Sequence, residues 1–190
     1  PWNPLFFLNG PISGTTLPGS SRLEVCARSP LTGTWGEASM GGRVSPDLKG
    51  TGYDGIVFTG AAESPVYLYL SEEGAELRDA SHLWGRETYD AEDSIRSEIG
   101  SEDAGIIVIG PAGERLVRFA NVANDLYRHY GRGGAGAVMG SKNLKAIVVE
   151  GDRRISYADR DSFLELNRQF AKDVVAHPNR KRRYELGTMM

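Results

Sequence analysis

Eight short runs rich in Val, Ile, Leu, Tyr and Phe constrain the fold of this chain most strongly, and Gly, Pro, Asp or Ser bounds most of them. Such runs are typical of β-strands. RLEVCAR alternates, which predicts a strand with one solvated face, whereas GIIVIG and AIVV are unbroken and predict strands covered on both faces. The predicted strands span residues 5–8, 22–28, 54–60, 65–71, 75–80, 105–110, 115–122 and 144–151.

Two segments have helical patterns. Residues 85–100 carry early acidic residues and end at Gly100, and residues 158–178 carry an apolar stripe behind Asp159 as an N-cap. The basic run 179–183 is interpreted as a solvated linker, because no aromatic residue interleaves it for stacking on bases. We therefore expect a β-rich domain over residues 1–151 and a helical segment over 152–190.

The composition excludes several classes of protein. Net charge is −3, and no apolar run is long enough to span a bilayer, so we expect neither nucleic acid nor membrane as a partner. The single cysteine, Cys26, allows no internal disulfide and cannot ligate an iron–sulfur cluster alone. A lone thiol suits a reducing, cytoplasmic setting. Because the apolar segments at both ends look cut, we interpret the chain as part of a longer protein.

The segment RHYGRGGAG (128–136) combines glycines with basic residues and permits three hypotheses. GRGGAG matches the G-x-G-x-x-G dinucleotide fingerprint, but NDLYRHY precedes it instead of an apolar strand. A flexible turn would explain the glycines but not the bases gathered around them, Arg128, His129, Arg132, Lys142 and Lys145. An anion cradle, in which backbone N–H groups and guanidinium groups meet phosphate oxygens, would explain both.

Two further glycine-rich segments have the same character. Residues 10–22 end on Arg22, and residues 29–43 end on Arg43. Both are expected to be loops. A single phosphate would need one loop, so three such segments favour a large, flat, polyanionic ligand.

The sequence resembles a known family in several motifs that occur in order from about residue 5 to residue 151. They are GPISGT, SPLTGTWGEASMGG, GYDGIVFTG, AELRDASHLWG, IGPAGERLVRFA and GRGGAGAVMGSKNLKAI. They look like the N-terminal domain of the tungsten-containing aldehyde ferredoxin oxidoreductase family. The resemblance implies an α+β, β-rich fold with two β-sheets around a pseudo-twofold axis. These sheets form a saucer-like cofactor base that lacks its extreme N-terminus, and a C-terminal helix then starts the next domain.

The resemblance also implies a function. Such enzymes oxidise small aldehydes to carboxylic acids at a tungsten (or molybdenum) bis-molybdopterin centre, with magnesium between the pterin phosphates. Electrons pass through a 4Fe-4S cluster, ligated by residues outside this chain, to ferredoxin or another low-potential carrier. A homodimer is implied, no catalytic residue is assigned here, and the chain alone is expected to be inactive. The alternative is a non-catalytic β-rich module that binds a phosphorylated ligand or assembles with a partner chain.

Carried over position by position, the resemblance assigns Arg22 to the arginine between the cluster and a pterin. It assigns the backbone carbonyls of Ser39 and His129 to magnesium. The remaining implied cofactor-binding residues are Gly41, Gly42, Arg128, Gly131, Arg132, Gly133 and Gly134.

Two departures from the family pattern affect this assignment. The sequence has A-S-M-G-G where the family has A-N-S-G-G, and R-H-Y-G-R where it has R-A-A-G-R. A backbone carbonyl survives the first change, whereas a side-chain contact from asparagine does not. The bulk of His129 and Tyr130 is expected to alter the pocket beside a pterin.

Overall fold

A four-stranded antiparallel sheet forms one layer of the fold in the computed structural model, which describes residues 2–187. Its strand order is β3-β2-β1-β4. The alternation in RLEVCAR has the expected result: Leu23, Val25 and Ala27 are buried on the inner face, although Cys26 on the other face is also nearly covered. The strands are β1 (Leu5–Asn9), β2 (Arg22–Arg28), β3 (Trp35–Gly41) and β4 (Gly55–Phe58).

A six-stranded mixed sheet forms the second layer, with strand order β6-β5-β10-β7-β8-β9. β5 and β10 run parallel and the other neighbours are antiparallel. The strands are β5 (Val66–Ser71), β6 (Gly74–Asp79), β7 (Gly105–Val108), β8 (Val122–Asn124), β9 (Arg128–Tyr130) and β10 (Leu144–Glu150).

The helices lie between and beside these strands. Gly100 ends α2 in the left-handed conformation at φ 69°, and the Asp159 side chain caps α5 by accepting a hydrogen bond from the Ser162 backbone N–H at 3.0 Å. The helices are α1 (Val44–Gly50), α2 (Thr88–Ile99), α3 (Pro111–Glu114), α4 (Ala135–Gly140), α5 (Arg160–Ala176) and α6 (Arg180–Leu186).

The unbroken strand β10 is covered on both faces. Ile147 and Val149 belong to the core between the two sheets, whereas Ala146 and Val148 belong to a second core that contains Ile95 of α2. This arrangement explains why the sequence of β10 does not alternate. The predicted α+β fold with two sheets is confirmed.

Three local predictions are wrong. Residues 35–41 of the expected loop 29–43 form β3, because Trp35 to Gly41 pair in full register with β2 and bury Ala38 and Met40. The expected strand 115–122 is mostly turn, since Leu116 has φ 59° and only the final residue belongs to β8. The expected linker 179–183 lies largely in α6.

The helical segment after residue 151 contacts the rest of the chain sparingly. α5 buries none of its residues, although the Asn167 side-chain amide donates a hydrogen bond to Thr16 Oγ1 at 2.8 Å. All described strands precede residue 151. Within residues 2–187, no helix combines the length and apolar character needed to cross a bilayer.

Candidate functional site

The glycine segment at the end of β3 and the glycine segment after β9 lie side by side, although they belong to different sheets. A Cβ atom on Gly42 would lie 3.1 Å from Arg128 Cδ, so the turn after β3 meets the segment that begins at β9, and Gly133 packs on Gly36 at the start of β3. The Asn124 side-chain amide donates to the carbonyl oxygen of Gly41 at 3.4 Å. Residues 39–42 and 128–134 therefore form one face.

Both the backbone conformation and the close neighbours at position 42 require glycine. Its φ is +133°, a region that residues with side chains rarely adopt. An added Cβ would lie 2.5 Å from Asp125 Oδ2 and 2.8 Å from Asn124 Nδ2. The same carboxylate oxygen accepts a hydrogen bond from the Arg43 backbone N–H at 2.6 Å. The turn between β3 and α1 is thus wrapped around the carboxylate of Asp125.

Asn124 and Asp125 are not among the site residues expected from the sequence. Their signal is present in the sequence, because an Asn-Asp pair between an apolar run and a glycine loop is typical of a turn. What this pair contacts depends on the pairing of two sheets, which no local pattern encodes.

The second glycine segment divides into open and packed positions. No atom lies within 4 Å of a Cβ built on Gly131, so this backbone faces free space. Gly133 and Gly134 are left-handed, at φ 80° and 74°. A Cβ on Gly134 would lie 2.1 Å from the carbonyl oxygen of Arg118, which gives this glycine a packing role. Gly131 is therefore open to a ligand, whereas Gly133 packs on β3 on one side and is partly exposed on the other.

Arg22 is oriented by Ser39. Its Nε donates to Ser39 Oγ at 2.7 Å, and its Nη2 donates to the Ser39 carbonyl oxygen at 2.9 Å. A guanidinium has five N–H donors, so about three remain for other partners. Neither Arg22, Arg128 nor Arg132 forms an ion pair with any carboxylate in the described part of the chain.

The two lysines that sequence analysis grouped with the glycine loop lie elsewhere. Lys145 is fully buried, and its Nζ contacts Glu114 Oε1 at 2.5 Å and the Arg86 carbonyl oxygen at 2.9 Å. Lys142 is also buried and donates to the Gly60 carbonyl oxygen at 2.9 Å. Burial lowers the pKa of both lysines. They stabilise the fold and are not part of an anion cradle.

His129 and Tyr130 point in opposite directions. Tyr130 is fully buried and packs edge-to-face on Phe7, with ring centroids 6.1 Å apart, whereas His129 is exposed beside Asn121. Burial, followed by the charges of Glu24 and Asp125, raises the pKa of Tyr130 well above 10. The bulk of Tyr130 therefore fills the core and not the ligand face.

Three buried polar atoms beside the glycine turn lack a hydrogen-bond partner among residues 2–187. They are Asn124 Oδ1, Asp125 Oδ1 and the Tyr130 hydroxyl. Of these three residues, Asp125 lines a cavity of about 450 Å³, together with Ser21, Gly42, Arg43, Arg96, Tyr127 and Arg128. Buried polar groups are almost always satisfied in folded proteins. The unpaired oxygens of Asn124 and Asp125 are acceptors, so each could accept a hydrogen bond from a further donor.

No direct metal site is evident in the described residues. They contain no group of three or more His, Cys, Asp or Glu side chains that could hold a metal ion. Cys26 is buried, and burial raises the pKa of its thiol. Any metal that needs soft sulfur ligands must obtain the sulfur from outside residues 2–187.

A family model described as "Aldehyde ferredoxin oxidoreductase, N-terminal domain" matches residues 1–151, which is most of the chain. The chain belongs to this family. The tungsten-containing aldehyde ferredoxin oxidoreductase of Pyrococcus furiosus is 50% identical over 169 residues, which cover 89% of this chain and 28% of that protein.

More distant relatives carry other names. A P. furiosus protein named aliphatic sulfonate oxidoreductase, WOR-like subunit, is 34% identical over 185 residues and is matched over 90% of this chain and 29% of its own length. A solved structure, the active site complex BamBC of benzoyl coenzyme A reductase with 1,5-dienoyl-CoA, superposes with a TM-score of 0.89 at 35% identity, over 99% of this chain and 28% of that one. The chain thus spans less than a third of these relatives.

Proposed function

We propose that residues 1–151 form the base that holds a tungsten (or molybdenum) bis-molybdopterin cofactor through its phosphates. One observation carries the proposal: two sheets bring a glycine turn and a glycine loop to one face. Beside these lie two exposed arginines, Arg128 and Arg132, without a carboxylate partner in the described chain. Guanidinium forks and open backbone N–H groups are the donors that phosphate oxygens prefer.

The residues present fit such a group by their chemistry. Tungsten needs soft sulfur ligands, and the single buried cysteine supplies none. A ligand that brings its own dithiolene sulfurs needs only polar contacts from the protein. Arg128, Arg132, Gly131 and Gly133 would hold its phosphates, and the bound group would supply the redox chemistry.

Arg22 would contribute orientation and charge. Its guanidinium, fixed on Ser39 by two hydrogen bonds, keeps about three N–H donors for a pterin and for an acceptor in the following domains. Family membership supports magnesium binding at the carbonyls of Ser39 and His129. The Ser39 carbonyl accepts one hydrogen bond from Arg22 and keeps a lone pair for such a ligand.

The complete protein is proposed to oxidise aldehydes to carboxylic acids. Electrons would pass through a 4Fe-4S cluster, held by domains that follow the helical segment 152–190, to ferredoxin. Aldehydes are favoured over the substrates of more distant relatives, because the aldehyde ferredoxin oxidoreductase of P. furiosus is 50% identical and the sulfonate oxidoreductase subunit 34%. A homodimer in the cytoplasm is proposed on the same basis, and the free thiol of Cys26 agrees with a reducing compartment.

Metal analysis of the full-length protein tests the proposal. Protein purified from cells supplied with tungstate should contain tungsten or molybdenum together with pterin. Replacing both Arg128 and Arg132 by Ala should lower that content about tenfold, because two charge-assisted contacts are lost. Arg168→Ala on the exposed face of α5 is the matched control and should retain the cofactor. A wild-type protein without tungsten, molybdenum or pterin would refute the proposal.

A further inference from the structure

A strained turn stands behind the glycine face. Asp125 and Leu126, between β8 and β9, are consecutive non-glycine residues with φ of 45° and 63°. Residues with side chains rarely adopt such conformations, which persist only where the surroundings enforce them. The groups that enforce this turn therefore control the position of Asp125.

Glu92 and Arg96 of α2 enforce the turn. Glu92 is 1% exposed, and its Oε2 accepts a hydrogen bond from the Leu126 backbone N–H at 3.1 Å. Its Oε1 accepts from Arg96 Nη2 at 2.7 Å. Arg96 Nη1 in turn donates to the carbonyl oxygens of Glu102 and Ala104, at 2.7 and 2.9 Å. The buried carboxylate is thus fully paired and fixed from both sides.

The turn is connected to the glycine face by hydrogen bonds. Asp125 holds the Arg43 backbone N–H, and Asn124 contacts the Gly41 carbonyl oxygen. Arg128 follows in the same hairpin, opposite Asn124 in the register of β8 and β9. One continuous series of contacts therefore runs from α2 to both halves of the candidate site.

We propose that Glu92 and Arg96 are positioning residues for the cofactor face. Glu92 is buried behind the turn, and Arg96 lines the cavity but directs its guanidinium to Glu92 and to two backbone carbonyls. Both residues fix the strained turn, which aligns Gly42 with Arg128. This inference rests on the proposed function. Residues that orient ligand-binding groups in this way typically change affinity by about 10- to 100-fold when altered.

The test uses Glu92→Gln in the full-length protein, since Gln keeps the shape and one acceptor but loses the charge. Glu114→Gln is a matched control. Glu114 is also a buried carboxylate that pairs with one cation, Lys145, and one backbone N–H, that of Gly85 at 2.8 Å. It forms no hydrogen bond with any of the candidate cofactor-binding residues. Arg96→Lys, which keeps the charge but loses the fork, serves as the second variant.

Two measurements separate positioning from general destabilisation. At limiting tungstate, Glu92→Gln and Arg96→Lys should lower tungsten content about tenfold, whereas Glu114→Gln should retain it at a comparable loss of thermal stability. Hydrogen exchange in residues 40–44 and 124–130 should rise in the first two variants and stay unchanged in the third. Equal effects of Glu92→Gln and Glu114→Gln on both measurements would overturn the inference. If wild type carries no cofactor, the proposed function fails, and exchange alone still decides the positioning role.

Discussion

Gly42→Ala is the substitution for which the structure gives the most explicit energetic account. The backbone at this position has φ +133°, and adopting it with a side chain costs about 1–3 kcal/mol. The new Cβ would also lie 2.5 Å from Asp125 Oδ2, so the carboxylate must move away from the Arg43 N–H. Losing a hydrogen bond to a charged group costs about 1.5–3 kcal/mol. Together these effects predict a loss of roughly 3–5 kcal/mol in the free energy of unfolding.

Gly19→Ala separates the two contributions. Gly19 also has a left-handed backbone, at φ +81°, but nothing lies within 4 Å of its added Cβ. This variant should cost only the conformational part, about 1 kcal/mol. For a domain of this size, 1 kcal/mol shifts the melting temperature by about 2–4 °C, so the difference between the variants should be roughly 5–10 °C.

Thermal unfolding followed by circular dichroism measures both variants. The collision with Asp125 predicts coupling: in an Asp125→Ala background, Gly42→Ala should cost about 2 kcal/mol less than in wild type. If Gly42→Ala and Gly19→Ala have the same melting temperature, the packing of this carboxylate beneath the glycine turn is refuted. It is also refuted if Gly42→Ala lowers the free energy of unfolding equally in the wild-type and Asp125→Ala backgrounds.

Three further predictions concern charge and ligand access. Burial, partly offset by Arg43, raises the pKa of Asp47 from 3.8 to about 7, so the free energy of unfolding should fall by roughly 3 kcal/mol between pH 4 and pH 7. Asp47→Asn should flatten this pH dependence of the unfolding free energy, measured by denaturant unfolding at a series of pH values. Gly131→Val should leave the melting temperature within about 2 °C of wild type, because its surroundings are open, but lower the tungsten content of the full-length protein. Arg22→Lys in the full-length enzyme should keep cofactor content and lower aldehyde turnover about tenfold, because the fork on Ser39 is lost; unchanged turnover would remove Arg22 from the electron path.

The sequence predicted most strands because their patterns are local. RLEVCAR became β2 with the expected bounds, and LKAIVVEG became β10, since β-branched composition and burial agree in these runs. β3 was missed because WGEASMG has no strong strand residues after Trp35. Its conformation is imposed by seven register pairs with β2. A tertiary partner thus overrode a sequence that favours a loop.

For the candidate site, the sequence indicated only glycines and arginines, and their contact with a ligand stays a prediction. Glycines and arginines indicate an anion cradle by their residue types, whereas the residues that support them from within the fold give no such signal. Glu92 looks like one of several acids on an amphipathic helix, and only its burial beside Leu126 shows its role. Lys145 was assigned to the cradle because it is close in sequence, yet β10 carries its side chain into the core.

The distribution of acids sorts the arginines near this face into two groups. Arg43 pairs with Asp47 and Asp103, and Arg96 pairs with Glu92, so their charges are already balanced within the fold. Such paired cations add little attraction for an incoming anion, because binding would have to compete with carboxylates already in place. Arg22, Arg128 and Arg132 have no carboxylate partner in the described chain. At this face, three arginine charges are therefore uncompensated, and a polyanionic ligand would be attracted to them, although the chain as a whole is negative.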